Sequence, residues 1–530
     1  VDQLTLLFAL LLGSVVTVPL AEWLRVPAPV VMTVLGGGLA LLPAVPEVSL
    51  PPELILPLVL PPVLYAAVQR TSWRQFAANV RPILLLAVAL VFVTTGVVAA
   101  VAQLVVPDLP LAPAVALGAL VAPPDPVAAT AVAGRLGLPR RMVSILEGEG
   151  LFNDVTAITL YHVAIAAAVT GSFSAWGAGG ELVLSAVVAV LVGLVLGWLT
   201  ARLLVVLGDA TLRTGLTLLV PFAAYAVAEE LHGSGVLSVL VAALFLGELA
   251  TDPDDVTGRL TGQSFWAVMD LLVTGVAFGL IGLELNAVLA AAAGRWGELL
   301  PAAGLTLVAV VLVRLVWLLP AAWLAKRLHR GADLREDIPF SWRETVIMWW
   351  SGMRGVASVA LALAVPLTVD DGGAFPERDA MVFVAFAVVV GTLLIQGLTL
   401  PWLATRLGVR GDSGAEEALE HELAVRAASA AKDRLREIAR ERELPEEVTE
   451  ALLRRAYELG TRISPRMAEE ERRDQVSHRV RRAREFSLLH AELLSAARRA
   501  VLDARAEPGT DPEVVDRVLN ALDRRGLPHG

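Results

Sequence analysis

The chain has 530 residues, 56% of them hydrophobic, a formal net charge of -10 and no cysteine, with a mean hydropathy of +0.66. That composition is too apolar for a soluble globular protein, and its many uncharged runs of roughly twenty residues read as a polytopic membrane protein. The absence of cysteine excludes thiolate metal sites, disulfide staples and cysteine nucleophiles.

Apolar windows long enough to cross about 30 Å at about 1.5 Å per residue predict thirteen spans. They lie near 3–21, 27–45, 51–68, 82–105, 111–134, 144–170, 181–207, 211–230, 234–250, 264–290, 299–325, 343–367 and 379–406. The first, from Leu4 to Leu20, has no basic leader or small-residue cleavage site and is expected to be retained. Alternate loops differ in basic residues. One set carries Arg25; Arg70, Arg74 and Arg81; Arg135, Arg140 and Arg141; Arg202 and Arg213; Arg259; and Lys326, Arg327, Arg330, Arg335 and Arg343, whereas the other carries Arg295 and Arg378. By the positive-inside rule the N-terminus is expected outside the cell and the C-terminal tail in the cytoplasm.

The fifth span contains Val121-Ala-Pro-Pro-Asp-Pro-Val127. Three prolines remove backbone donors, so the helix is expected to break near Asp125 and strand peptide groups at mid-membrane depth. There Asp125 can ligate a cation or accept hydrogen bonds from the stranded amides. The sixth span opens on Glu147-Gly-Glu-Gly-Leu-Phe-Asn-Asp154 and continues through apolar residues to Val169. An ionised carboxylate in hydrocarbon is expensive, so Asp154, with Asn153 beside it, marks an ion or proton path through a polar cavity. Five positions separate Glu149 from Asp154 and turn them to different sides, while Gly150 and Asp154 share a face.

His162 reads as a packing residue, and Glu229, Glu230 and His232 as solvated groups in the turn between spans eight and nine. Glu284 reads as an acid near enough to a span end to snorkel. Arg314 is a further charge inside a span. The twelfth span contains Trp349-Trp-Ser-Gly-Met-Arg-Gly-Val-Ala-Ser358, where Gly352 and Gly355 allow unwinding around Arg354. Arg354 and Glu149 are each too expensive to bury alone and are expected to pair, tying span six to span twelve. Two interrupted spans seven apart suit an inverted repeat of six spans after one extra helix.

Roughly half of all charged residues fall in the last 120 positions, which separates a transmembrane domain, 1–410, from a helical C-terminal domain, 411–530. Within the latter, the run Arg479-Val-Arg-Arg-Ala-Arg484 reads as a solvated helix face, and Pro445, Pro465 and Pro508-Gly-Thr-Asp-Pro512 as divisions between helices. No Walker loop, His/Asp metal spacing or Gly-x-Ser-x-Gly elbow occurs in the membrane part, so the chain is not expected to be an enzyme.

Glu149-Gly-Leu-Phe-Asn-Asp154, Pro124-Asp125-Pro126, Ala228-Glu-Glu-Leu-His-Gly-Ser-Gly-Val-Leu237, Leu280-Ile-Gly-Leu-Glu-Leu285, Gly352-Met-Arg-Gly355 and Gln396-Gly-Leu-Thr-Leu-Pro401, in this order, resemble the monovalent cation/proton antiporters of the bacterial sodium/proton exchanger type. The resemblance covers the whole membrane domain. It implies an all-α, thirteen-span, NhaA-like antiporter fold with two crossed discontinuous helices, a mobile core domain and a dimerisation domain. It also implies a homodimer in the cell membrane that needs no cofactor and has Na+ and H+ as cargo. Asp154 matches the family's ion- and proton-carrying aspartate, Asn153 the amide of its electroneutral branch, Asp125 the aspartate of the broken fifth helix, and Glu149 and Arg354 a core ion pair. The chain departs from many relatives in having Pro124 for a threonine, Gly150 for a serine, and no glutamate in Pro61-Pro-Val-Leu-Tyr-Ala66. Main-chain carbonyls, water and Thr130 or Thr156 are then expected to supply the missing oxygens.

The function expected is exchange of Na+, with Li+ and K+ as alternatives, for H+ by competition at Asp154. No nucleic-acid partner is expected. An intramembrane aspartyl protease is disfavoured because Asn153-Asp154 is not its Gly-x-Gly-Asp setting, and a channel because no filter sequence repeats.

Overall fold

Long uncharged runs leave the backbone to satisfy its own hydrogen bonds, and the chain does so as helices. The computed structural model describes residues 3–42, 52–70, 79–106, 109–172, 175–249, 256–328, 341–409, 413–442, 444–449 and 452. By compactness the chain divides into two units, Val1–Gly411 and Asp412–Gly530. Among the described residues the first unit contains α1 (Gln3–Leu24), α2 (Ala28–Ala40), α3 (Pro52–Arg70), α4 (Val80–Val105), α5 (Leu111–Val121), α6 (Val127–Leu136), α7 (Arg140–Thr170), α8 (Ala175–Val206) and α9 (Ala210–Glu230). It continues with α10 (Gly235–Leu249), α11 (Val256–Leu283), α12 (Leu285–Ala291), α13 (Trp296–Leu328), α14 (Trp342–Trp350), α15 (Val356–Leu363) and α16 (Arg378–Leu407).

Eight segments among the described residues are long and apolar enough to cross a membrane, namely α1, α4, α7, α8, α9, α11 with α12, α13 and α16. The chain is therefore a multi-pass membrane protein. The windows predicted at 27–45 and 234–250 form shorter helices of 13 and 15 residues. Those at 111–134 and 343–367 are interrupted, as α5 and α6 and as α14 and α15. The loop residues Arg74, Arg330 and Arg335 lie outside the described residues.

Outward-facing apolar side chains on α1 and α8, such as Leu4, Phe8, Val183 and Val195, are exposed. That is a liability in water and an ordinary surface in lipid. Inside, α2 crosses α11 closely: Gly36 and Gly282 sit at the crossing, and the Thr33 hydroxyl donates to Phe278 O at 3.2 Å. Small residues that let backbones approach are how membrane helices gain packing. α16 is the most enclosed membrane-spanning helix, with most of its length buried.

Side chains set the helix ends. Asp209 accepts from Thr211 and Leu212 N–H at the start of α9, and Ser341 and Glu344 form a capping box on α14. Arg378 donates to Val365 O at 2.9 Å and Leu363 O at 3.2 Å, closing the C-terminus of α15. Glu229, read from the sequence as merely solvated, is exposed but also accepts the Gly235 N–H at 3.0 Å, at the start of α10.

The second unit contains α17 (Ser413–Glu441). Its exposed face carries Glu422–Arg426, Arg434–Glu437 and Asp433–Arg436 ion pairs, one helical turn apart. Pro465, the basic run at 479–484 and the turn at 508–512 lie outside the described residues.

Candidate ion-binding site

The two broken helices meet at their breaks, and each supplies what the other lacks. α5 ends at Val121 with stranded carbonyls; the Arg354 guanidinium donates to Val121 O at 2.9 Å, to Ala122 O at 3.1 Å, and to Gly352 O on its own strand. A fixed positive group is favourable at a helix C-terminus. In return, the Met353 carbonyl beside Arg354 accepts the Asp125 N–H from the break in the other helix, at 2.6 Å. The Arg354 N–H is taken by the buried Thr392 hydroxyl of α16 at 3.1 Å. Peptide groups stranded by prolines and glycines are thereby satisfied without water.

The Asp125 carboxylate lies where two helices begin. It accepts the Val127 N–H at 2.8 Å at the start of α6 and faces the Val356 amide at the start of α15. Helix N-termini favour a negative group. Gly355 makes this possible, because a Cβ there would occupy the space of the Asp125 carboxylate. Of the two roles open to Asp125, the geometry shows the acceptance of stranded amides.

α7 passes the crossing and presents two adjacent faces to it. On one, Asn153 is fully buried and donates its amide to Pro124 O at 2.6 Å, while its Oδ1 has no hydrogen-bond partner. On the other, Gly150 packs against Pro126 and Asp154 follows one turn on. Asp154 is half-buried, and its carboxylate is within electrostatic reach of Asp125. Gly150 thus has a packing reason to lack a side chain: a Cβ there would stand 2.5 Å from Pro126 Cδ and closer still to Cγ. Gly150→Ser is accordingly expected to lower stability by about 1–3 kcal/mol through overpacking and to lower exchange. Melting in detergent checks this, and Pro126→Ala in the same chain should recover most of the loss; no recovery would refute the contact.

The expected oxygen ligands fare differently. The Thr130 hydroxyl donates to Pro126 O and Val127 O, one turn past Asp125. The Thr156 hydroxyl donates to Phe152 O. Two positions beyond Asp154 on a continuous helix, Thr156 shares the Glu149 and Asn153 face rather than that of Asp154.

The expected Glu149–Arg354 pair is corrected. Glu149 is 1% exposed and its partner is Arg314 of α13, 2% exposed. The pair is bidentate, with Arg314 Nη1 on Oε1 and Nη2 on Oε2 at 2.8 Å, and Arg314 Nε donates to Met348 O at 3.1 Å. The physical reason is a division of labour: Arg354 is occupied by the carbonyls of the α5 terminus, and a planar fork matching a carboxylate arrives from α13. Buried charge therefore ties span six to span eleven, and Arg354 ties span twelve to span five.

Asp270 on α11 escaped the sequence reading. It is half-buried, accepts the Thr274 hydroxyl at 3.4 Å, and is within electrostatic reach of Asp125. Its signal was available: an acid inside an apolar span is a functional candidate by default.

Residues 7–406 match the family model described as sodium/hydrogen exchanger, transmembrane. The chain belongs to the sodium/hydrogen exchanger family. It is similar to an uncharacterized Na+/H+ exchanger of Mycobacterium tuberculosis, 34% identical over 447 residues, 83% of this chain and 80% of that one. It is also similar to a sodium, potassium, lithium and rubidium/H+ antiporter of Bacillus pumilus, 30% identical over 72% of this chain and 58% of that one. Among solved structures, the sodium proton antiporter MjNhaP1 from Methanocaldococcus jannaschii has a TM-score of 0.58 at 20% identity, covering 76% of this chain and 98% of that one, a likeness of fold. The family consists of transporters, so this member is a cation/proton antiporter and not an enzyme.

Proposed function

We propose that the chain is a secondary antiporter in which Na+ and H+ compete for Asp154, so that the loaded carboxylate alone crosses between inward-facing and outward-facing states. The observation that carries this reading is the half-buried Asp154 beside Asp125, at the junction of two interrupted helices. A bare Asp154 in a closing, low-dielectric core would be an unpaired charge, and that penalty suppresses leak. Asp154 is the cation and proton carrier, Asp125 orients the crossing and adds negative potential, and the free Oδ1 of Asn153, the Thr130 oxygen and main-chain carbonyls supply neutral oxygens. Thr156 is the weaker candidate.

In this reading the working unit is a homodimer in the cell membrane with thirteen spans. α5–α6 and α14–α15 are the corresponding broken helices of an inverted repeat; the N-terminus is outside and the tail, 411–530, is cytoplasmic. The loop arginine asymmetry supports this orientation. The test is reconstitution in liposomes with an imposed pH gradient and Na+, Li+, K+ and Ca2+ offered in turn. Na+- and Li+-driven proton flux is expected, with none from Ca2+. K+/H+ exchange is the second reading, favoured by the relative named for sodium, potassium, lithium and rubidium.

Two further results are expected. Competition at one acid makes the apparent KM for Na+ rise as pH falls while the maximal rate is retained; a KM independent of pH refutes a shared site. With neutral Asn153 beside Asp154, one cation exchanges for one proton, so a valinomycin potential leaves the rate unchanged. A clear voltage effect would mean that a second charge moves.

A further inference from the structure

A narrow crevice with about 20 Å³ of room for water lies between α11 and α15, lined by Ala277, Leu280, Ile281 and Glu284 on one side and Val356, Val359, Ala360 and Leu363 on the other. One end adjoins the site, because Val356 follows Gly355, against which the Asp125 carboxylate packs. From there it runs the length of α15, from Val356 to Leu363, which is roughly 10 Å of helix at about 1.5 Å per residue. Glu284 stands at the far end, half-buried, where α11 stops and α12 begins. Of the described residues that line the cavity, Glu284 alone is charged. The lining residues of α11 form one stripe at helical spacing, and extended backward it takes in Thr274 and Asp270. The face of α11 turned toward the crossing therefore carries an acid beyond each end of an apolar middle.

An apolar crevice is a poor place for a hydrated cation and a good gate, since a narrow apolar passage empties of water when it closes. A carboxylate at its mouth reverses the first property and keeps the second: it gathers cations locally and lowers the energy of entry. The sequence reading of Glu284 as a snorkelling acid gave it no task, and its position on the cavity wall supplies one.

We propose that the crevice between α11 and α15 is the outer half of the cation pathway, and that Glu284 receives the cation at its mouth and hands it toward Asp125 and Asp154. This rests on the antiporter reading for its cargo, but the crevice can be tested without transport. The chain has no cysteine, so single cysteines at Leu280 and Leu363, both half-buried on the crevice wall, report access in the whole 530-residue chain. Leu361→Cys, at a position 0% exposed, is the control.

Both reporters are expected to react with membrane-impermeant methanethiosulfonates applied from outside, and the control to stay unreacted. The cationic reagent should react faster than its anionic counterpart, and Glu284→Gln in the reporter chain should reduce that ratio by about fivefold or more, the scale for losing one unit charge a few ångströms from a partly hydrated cation. In flux assays Glu284→Gln should raise the apparent KM for Na+ supplied outside by a similar factor, more than it lowers the maximal rate, with Glu284→Asp restoring most of it. Absence of outside labelling, or a charge ratio untouched by Glu284→Gln, overturns the proposal while intact exchange leaves the antiporter reading in place. A chain that exchanges none of the cations but labels as expected overturns the antiporter reading and keeps the crevice.

Discussion

Asp154→Asn is expected to abolish cation/proton exchange while the protein still inserts and folds. Asparagine keeps the shape and the hydrogen-bonding groups but can neither ionise nor hold a proton for transfer. Losing a unit charge about 4 Å from the cation, at an effective dielectric near 20, removes roughly 4 kcal/mol of attraction, which is about a thousandfold in affinity. Stability should not fall with it. Asp154 has an acidic neighbour in Asp125, and removing one of two like charges in a low-dielectric site relieves repulsion. The melting temperature in detergent is therefore expected to equal or exceed that of the unaltered chain. Flux in reconstituted liposomes and a thermal melt on the same preparation separate the two effects. Exchange at the ordinary rate would end the single-carboxylate mechanism, and a large stability loss would recast Asp154 as a structural residue.

What could be read in advance divides along physical lines. Both helix breaks were legible because Pro123, Pro124 and Pro126 remove donors and because Gly352 and Gly355 free the backbone. The depth of Asp154 was legible because an acid inside an apolar run is a local signal. Neighbourhood was not legible. Glu149 had two buried cations to choose between, Arg314 and Arg354, and helical spacing says which way a side chain points but not which helix it meets. Arg354 was already committed to the carbonyls of Val121 and Ala122, a demand created by the break in another span. Glu284 shows the same limit: a hydropathy window gives its depth near a span end, and only packing puts it on the wall shared by α11 and α15. Gly150 shows it at atomic scale, since the clash that forbids a serine comes from Pro126, twenty-four positions earlier.

Removing either member of the Glu149–Arg314 pair is expected to cost much of the protein's stability. Both groups are almost wholly buried, and breaking a buried pair by removing one partner typically costs about 3–5 kcal/mol because a bare charge remains. The two single losses should differ. Arg314 and Arg354 flank Gly352: a Cβ on that glycine would lie 2.6 Å from Arg314 Cδ and 3.4 Å from Arg354 Nη1. Glu149→Ala therefore leaves two adjacent guanidiniums with no anion between them, whereas Arg314→Ala leaves Glu149 with Arg354 still near. Glu149→Ala should be the more damaging replacement, and the double variant with Arg314→Ala should recover a large part of the loss, since removing both members of a buried pair is often near neutral. Arg354→Ala fails for a different reason, the loss of donors to Val121, Ala122 and Gly352 carbonyls, at about 1–3 kcal/mol for each buried acceptor left unpaired. Adding Glu149→Ala to it should not rescue it. Melting temperatures of the three single and two double variants decide the matter: recovery in the pair with Arg354 and none in the pair with Arg314 would overturn the assignment of α13 as the partner helix of Glu149.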